Sequence, residues 1–191
     1  MCLHVRDMRY SALSIIAITA TLLTSAVSGA SEMYENLRYG DTKDTVQKKL
    51  DKVLGNAKGQ KTIFGRTGMN GMYTAKTKVN GLKFSLYFGW DSSGGNLALN
   101  AVDLYSNEAP IETLGKAYQE LSTLFTELYG KPKFNNGLPS KSKLTRPDMT
   151  LAGACWFYDT DALMLSLGRT ENGINLVINF LDKQPKLIRT P

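Results

Sequence analysis

The chain repeats one helical pattern at an interval of 75 residues, and runs of alternating polarity follow each copy. In the first copy Val46, Leu50, Val53 and Leu54 fall on one helical face, with Gln47, Lys48, Lys49 and Asp51 mostly on the wet side. Asp41 or Thr42 can cap its start, and Gly55 stands where a left-handed stop is needed. In the second copy Leu121, Phe125, Leu128 and Tyr129 repeat the spacing. Gly130 stops that helix and Pro132 prevents its continuation. Its pattern starts near Ile111, which predicts a longer helix.

After the first helix, "MNGMYTAKTKV" reads as a strand leading into Asn80-Gly81, a strong two-residue hairpin signal. Leu82, Phe84, Leu86 and Phe88 then alternate with Lys83, Ser85 and Tyr87. "LALNAVDLY" is a further strand whose apolar parity slips near Ala101–Val102, the sign of a bulge or of cover on both faces. After the second helix a polar loop, "KPKFNNGLPSKSKLTRPDMT", precedes the strands "AGACWFY", "LMLSL" and "INLVINFL". In the last, Ile174, Leu176, Ile178 and Phe180 oppose Asn175 and Asn179. The order α-βββ-α-βββ with short hairpins predicts an α+β fold: an antiparallel sheet of about six strands with two helices on one face. Pseudo-repeats over about 37–106 and 111–182 would relate its halves.

The first 30 residues read as a leader and not as fold. Arg6 and Arg9 precede the apolar "SALSIIAITATLLTSAV", and Ser28 and Ala30 fit the small-residue exit, which places cleavage after Ala30. Translation can start at Met1 or Met8. The other reading of the stretch is a membrane anchor, for which it is short, since roughly 20 residues are needed to span a bilayer. Position 31 is serine, so no lipid-bearing cysteine follows, and no later stretch is apolar enough to span. The expected location is periplasmic or secreted.

Residues 31–191 are the length of one domain and can bury a real core. They carry 21 basic and 16 acidic side chains, a net charge of +5. That excess is too diffuse to argue for nucleic acid. Cys155 is the only cysteine after the leader, so no internal disulfide is expected, and its apolar setting reads as a buried small residue. The only histidine, His4, lies in the leader. Without histidine the mature chain lacks the usual general base near neutral pH and histidine-containing zinc sites.

No motif demands a cofactor or metal. Gly65, Gly68 and Gly71 precede a strand instead of opening a helix, and no Gly-Lys-Ser/Thr follows, so they do not make a phosphate loop. "DSSGGN" and "DTD" lack the spaced acids of a calcium loop and read as hairpin turns. The 16 carboxylates are scattered, which leaves a carboxylate- or lysine-dependent enzyme as the alternative without naming its residues.

The candidate recognition surface is the sheet face away from the helices. It is expected to carry Lys83, Ser85, Tyr87, Asn175 and Asn179. If Cys155 and Phe157 face the core, Trp156 and Tyr158 join it. Aromatic side chains there suit recognition of a protein or small ligand, and Tyr87, Trp156, Tyr158, Asn175 and Asn179 are the candidate contacts. Lys131, Lys133, Lys141, Lys143 and Arg146 make the long polar loop basic, a possible weak contact for an anionic envelope surface.

"YGDTKDTVQKKLDKVLG" resembles the helix opening of small exported α+β domains, those of the β-lactamase inhibitory proteins and of the small lipoprotein of the outer-membrane barrel assembly machine. Gly40, Thr42, Val46, Leu50 and Gly55 carry the match, over about seventeen residues. The inhibitory proteins are tandem repeats whose sheet face grips a partner enzyme, so the resemblance implies an exported binding domain. This chain departs from them in lacking their disulfide cysteines and a Gly-x-Thr opening on its second helix. It departs from the lipoprotein in lacking the anchored cysteine. No binding residue carries over by motif.

Overall fold

The computed structural model describes residues 33–54, 69–92 and 95–185. The leader with its cleavage point after Ala30, the stop at Gly55, Gly65 and Gly68 of the glycine-spaced loop, and residues 93–94 lie outside the described residues. The elements are α1 (Lys43–Leu54), β1 (Phe84–Asp91), β2 (Ala98–Ser106), α2 (Ile111–Tyr129), β3 (Phe134–Asn135), β4 (Thr150–Tyr158), β5 (Asp161–Arg169) and β6 (Ile174–Leu181). The strands form one antiparallel sheet in the order β1-β2-β6-β5-β4-β3.

Thr42 caps α1, its Oγ1 accepting the Thr45 N–H at 3.3 Å. Asp41 does another job, accepting from the Arg38 N–H at 2.8 Å and pairing with Lys49 Nζ at 2.7 Å. Gly130, at φ 78°, ends α2 with its N–H on the Thr126 carbonyl. The Asn80-Gly81 turn forms as read, with φ 49° and 81° and reciprocal hydrogen bonds between Val79 and Leu82.

Register sorts the two sheet faces, because directly opposed residues of paired strands share a face. Phe88, Val102, Phe180, Leu163 and Trp156 make one row across five strands, and Leu86, Leu104, Ile178 and Leu165 make the next. All are buried, and they join Val46 and Leu50 of α1 and Leu121, Leu124 and Phe125 of α2 in one core. Both helices therefore pack on that face.

The parity slip in β2 is a bulge at Asn100, since Gly89 opposes Ala101 while Trp90 opposes Leu99. Two details depart from the sequence expectation. "MNGMYTAKTKV" is not a regular strand, although its first part lies along the β1 edge. There Leu86 N–H bonds the Tyr73 carbonyl at 2.9 Å, and the Gly71 and Ala75 N–H groups bond the Leu86 and Phe84 carbonyls at 2.8 Å. The sixth strand is instead β3, from the polar loop. The sheet does not establish a chain duplication: α1 has 12 residues and α2 has 19, and the elements at the two sheet edges differ.

Candidate functional site

Among the described residues no helix packs on the second sheet face. One row there crosses all six strands: Tyr87, Asp103, Asn179, Met164, Cys155 and Phe134 are successive register partners. A neighbouring row runs Ser85, Tyr105, Val177, Ser166 and Ala152. Tyr87 is 37% exposed, the most open aromatic of the described core and sheet. Its ring meets Tyr105 edge-on, with centroids 5.0 Å apart.

Asp103 lies directly opposite Tyr87, half-buried. Asn179 Nδ2 donates to its Oδ1 at 2.8 Å. Burial raises the Asp103 carboxyl above the ordinary aspartate range, and the Asn179 hydrogen bond pulls it partly back. The Tyr105 phenol is pushed up by burial first, then by the nearby Asp103, Tyr87 and Asp148. Among the described residues, Asn179 Oδ1 and the Ser166 hydroxyl are buried polar groups without a hydrogen-bond partner. Cys155 is fully buried and burial pushes its thiol up to about 11, so it is no thiolate nucleophile at neutral pH.

The structure corrects three of the candidate contacts. Trp156 is fully buried on the helix face, edge-on to Phe125 of α2 at 5.5 Å. Tyr158 lies on the same side, stacked on Tyr129 at 4.9 Å. The sequence reading tied the burial of Cys155 to the helix face. Register with Met164 and Phe134 puts Cys155 on the other face, and its neighbour Trp156 therefore points to the helices. Asn175 is on the anticipated face but only 5% exposed, its amide directed at the Ser106 carbonyl at 3.4 Å. Tyr87 and Asn179 are placed as expected.

Asp103, Tyr105, Met164 and Phe134 were missed. The first two are legible once the slip at Asn100 is placed, because they alternate with buried Val102 and Leu104. Phe134 sits among polar residues with no alternation to mark it. Lys131, Lys133, Lys141, Lys143 and Arg146 are all exposed. Their segment is held down by Leu144, which is buried in the core.

Among the described residues no three His, Cys, Asp or Glu side chains are grouped to hold a metal, and no helix is long and apolar enough to cross a membrane. A groove of about 400 Å³ lies between the Asn80 turn and α2, flanked by Lys116, Glu120 and Glu127, and Asn80 Nδ2 bonds Glu120 beside it at 2.6 Å. No protein family, curated protein or solved structure matches the chain at a significant level.

Proposed function

We propose that this is an exported, non-enzymatic binding protein that engages a partner through the open face of its sheet. The observation that carries the reading is the row from Tyr87 to Phe134, in which aromatic, amide, carboxylate and thioether side chains share a face with no helix over it among the described residues. Cys155 within the row and Val177 and Ser166 beside it are buried, so Tyr87, Asp103, Tyr105, Asn179, Met164 and Phe134 are the part that reaches solvent. Tyrosines with an apolar body and a polar tip are suited to such a role. Affinity capture from envelope extract, with residues 31–191 as bait, tests it. A specific partner should be retained by the wild type and by a Lys141→Ser, Lys143→Ser variant. It should be lost from a Tyr87→Ala, Phe134→Ala variant of unchanged Tm. Equal capture by the open-face variant would sink the reading.

The five exposed cations around β3 favour one accessory role, attraction to an anionic envelope surface. Co-sedimentation with anionic vesicles should then fall as salt rises; binding that persists at high salt would count against it.

A further inference from the structure

Near Tyr87 and Tyr105 the sheet face away from the helices gathers negative charge, although the chain as a whole is basic. The protein carries a net charge of +6. Yet the Asp103 carboxylate, half-buried between strands, is held by the Asn179 amide alone, and no cation among the described residues pairs with it. Asp148, two residues before β4, adds a second negative charge close enough to raise the Tyr105 phenol. The basic residue of β1's approach on this face, Lys83, stands four residues along the strand from Tyr87, about 13 Å away. A desolvated carboxylate that lacks a counter-ion is costly in the free protein and is neutralised when a cation arrives.

The surroundings select the kind of cation. The Tyr87–Tyr105 pair offers aromatic surface beside the carboxylate. A guanidinium is more weakly hydrated than an ammonium, is planar, and can stack on a ring while its N–H fork meets a carboxylate. From Asp103 the row continues through Asn179 to half-buried Met164 and, beyond Cys155, to half-buried Phe134. At the usual strand spacing these apolar side chains lie about 10 Å and 19 Å from Asp103. An extended polypeptide advances about 3.3 Å per residue, so it can set an apolar residue there three to six positions from its arginine.

Resting on the open-face reading above, we propose that this patch receives the arginine side chain of an extended polypeptide, its guanidinium plane against Tyr87 and Tyr105 and its N–H groups on the Asp103 carboxylate. Asn179 is a positioning residue that fixes the carboxylate's orientation.

The test titrates isotopically labelled protein with acetyl-Phe-Ala-Ala-Arg-amide and with its citrulline counterpart, a neutral isostere, following the Asn179 side-chain amide and the backbone amides of Tyr87 and Asp103. The arginine peptide should shift these signals with an affinity at least tenfold above the citrulline peptide and at least threefold above a lysine peptide. Asp103→Asn should abolish the arginine–citrulline difference, and Asp103→Glu should restore part of it. Equal open-face binding by the arginine and citrulline peptides overturns the cation assignment while leaving the open-face reading standing. Equal binding by lysine overturns the arginine assignment. Absence of any open-face shift overturns the inference outright, and the capture experiment then decides the broader reading by itself.

Discussion

At the scale of single residues, side-chain direction decided what the sequence could reveal. Tyr87 and Asn179 were legible because each belongs to a strand that alternates cleanly. Trp156 was not, because both it and Cys155 are buried, on opposite faces of the sheet. Trp156 packs against Phe125 and is fully enclosed, so Trp156→Ala should destabilise by about 3–5 kcal/mol, measured by denaturant unfolding. A loss under 1 kcal/mol would show the indole to be dispensable to the core. Asp161 gives a pH-dependent expectation. It is 4% exposed. Burial raises its carboxyl, Asp159 and Asp182 raise it further, and the Thr160 hydroxyl bond opposes them. A raised pKa means that the folded state holds the proton more tightly than the unfolded chain. Asp161 thus favours folding at low pH, and that contribution is lost as pH rises from the unfolded carboxylate value through the folded one. Asp161→Asn should therefore raise Tm at pH 7, with the gain disappearing toward pH 3. An equal gain at both pH values would remove ionisation as the cause.

At the scale of elements, the periodic segments were readable and the irregular ones were not. Both helices, the Asn80-Gly81 turn and five of the six strands follow from patterns of 3.6 and 2 and from turn chemistry. The strand expected over "MNGMYTAKTKV" fails because the chain meets β1 through only a few hydrogen bonds, one of them from Phe88 N–H to the Asn70 side-chain oxygen at 2.9 Å. β3 has two residues, too few for any period to appear. The bulge in β4 escaped as well. Gly153 is the extra residue there, since Ala152 opposes Ser166 and Ala154 opposes Leu165. A Cβ at Gly153 would stand 2.4 Å from Tyr118 Oη and 2.5 Å from the Gly137 carbonyl oxygen, a side-chain tip and a backbone atom. The bulge thus lets α2 and the segment after β3 close onto the sheet together. Gly153→Ala should cost about 1–3 kcal/mol through overpacking. Tyr118→Phe combined with Gly153→Ala should recover only part of the loss, because the Gly137 carbonyl remains in the way. Full recovery would assign the whole clash to the tyrosine hydroxyl.

At the scale of the molecule, the fold was legible because a sheet needs cover on one face and two amphipathic helices supply it; a binding role for the other face, as proposed above, would leave no periodic trace. Where the folded chain begins is a question of the same scale. Met33 is 1% exposed and Leu37 is fully buried, and the Met33 N–H bonds the Leu37 carbonyl at 2.8 Å. Both belong to the core that α1 closes. Cleavage after Ala30 leaves only Ser31 and Glu32 ahead of the first core residue, so the processing point proposed from the leader pattern spares the fold. N-terminal sequencing of the protein recovered from cells should read Ser-Glu-Met-Tyr; a chain starting at Met1 or Met8 would count against the leader. Deletion shows whether the boundary is structural. A chain beginning at Met33 should unfold within about 0.5 kcal/mol of one beginning at Ser31. A chain beginning at Arg38 loses two enclosed apolar side chains, each worth about 2–5 kcal/mol when truncated in a core, and should unfold at far lower denaturant. Equal stability of the two shortened chains would mean that residues 33–37 add nothing to the core.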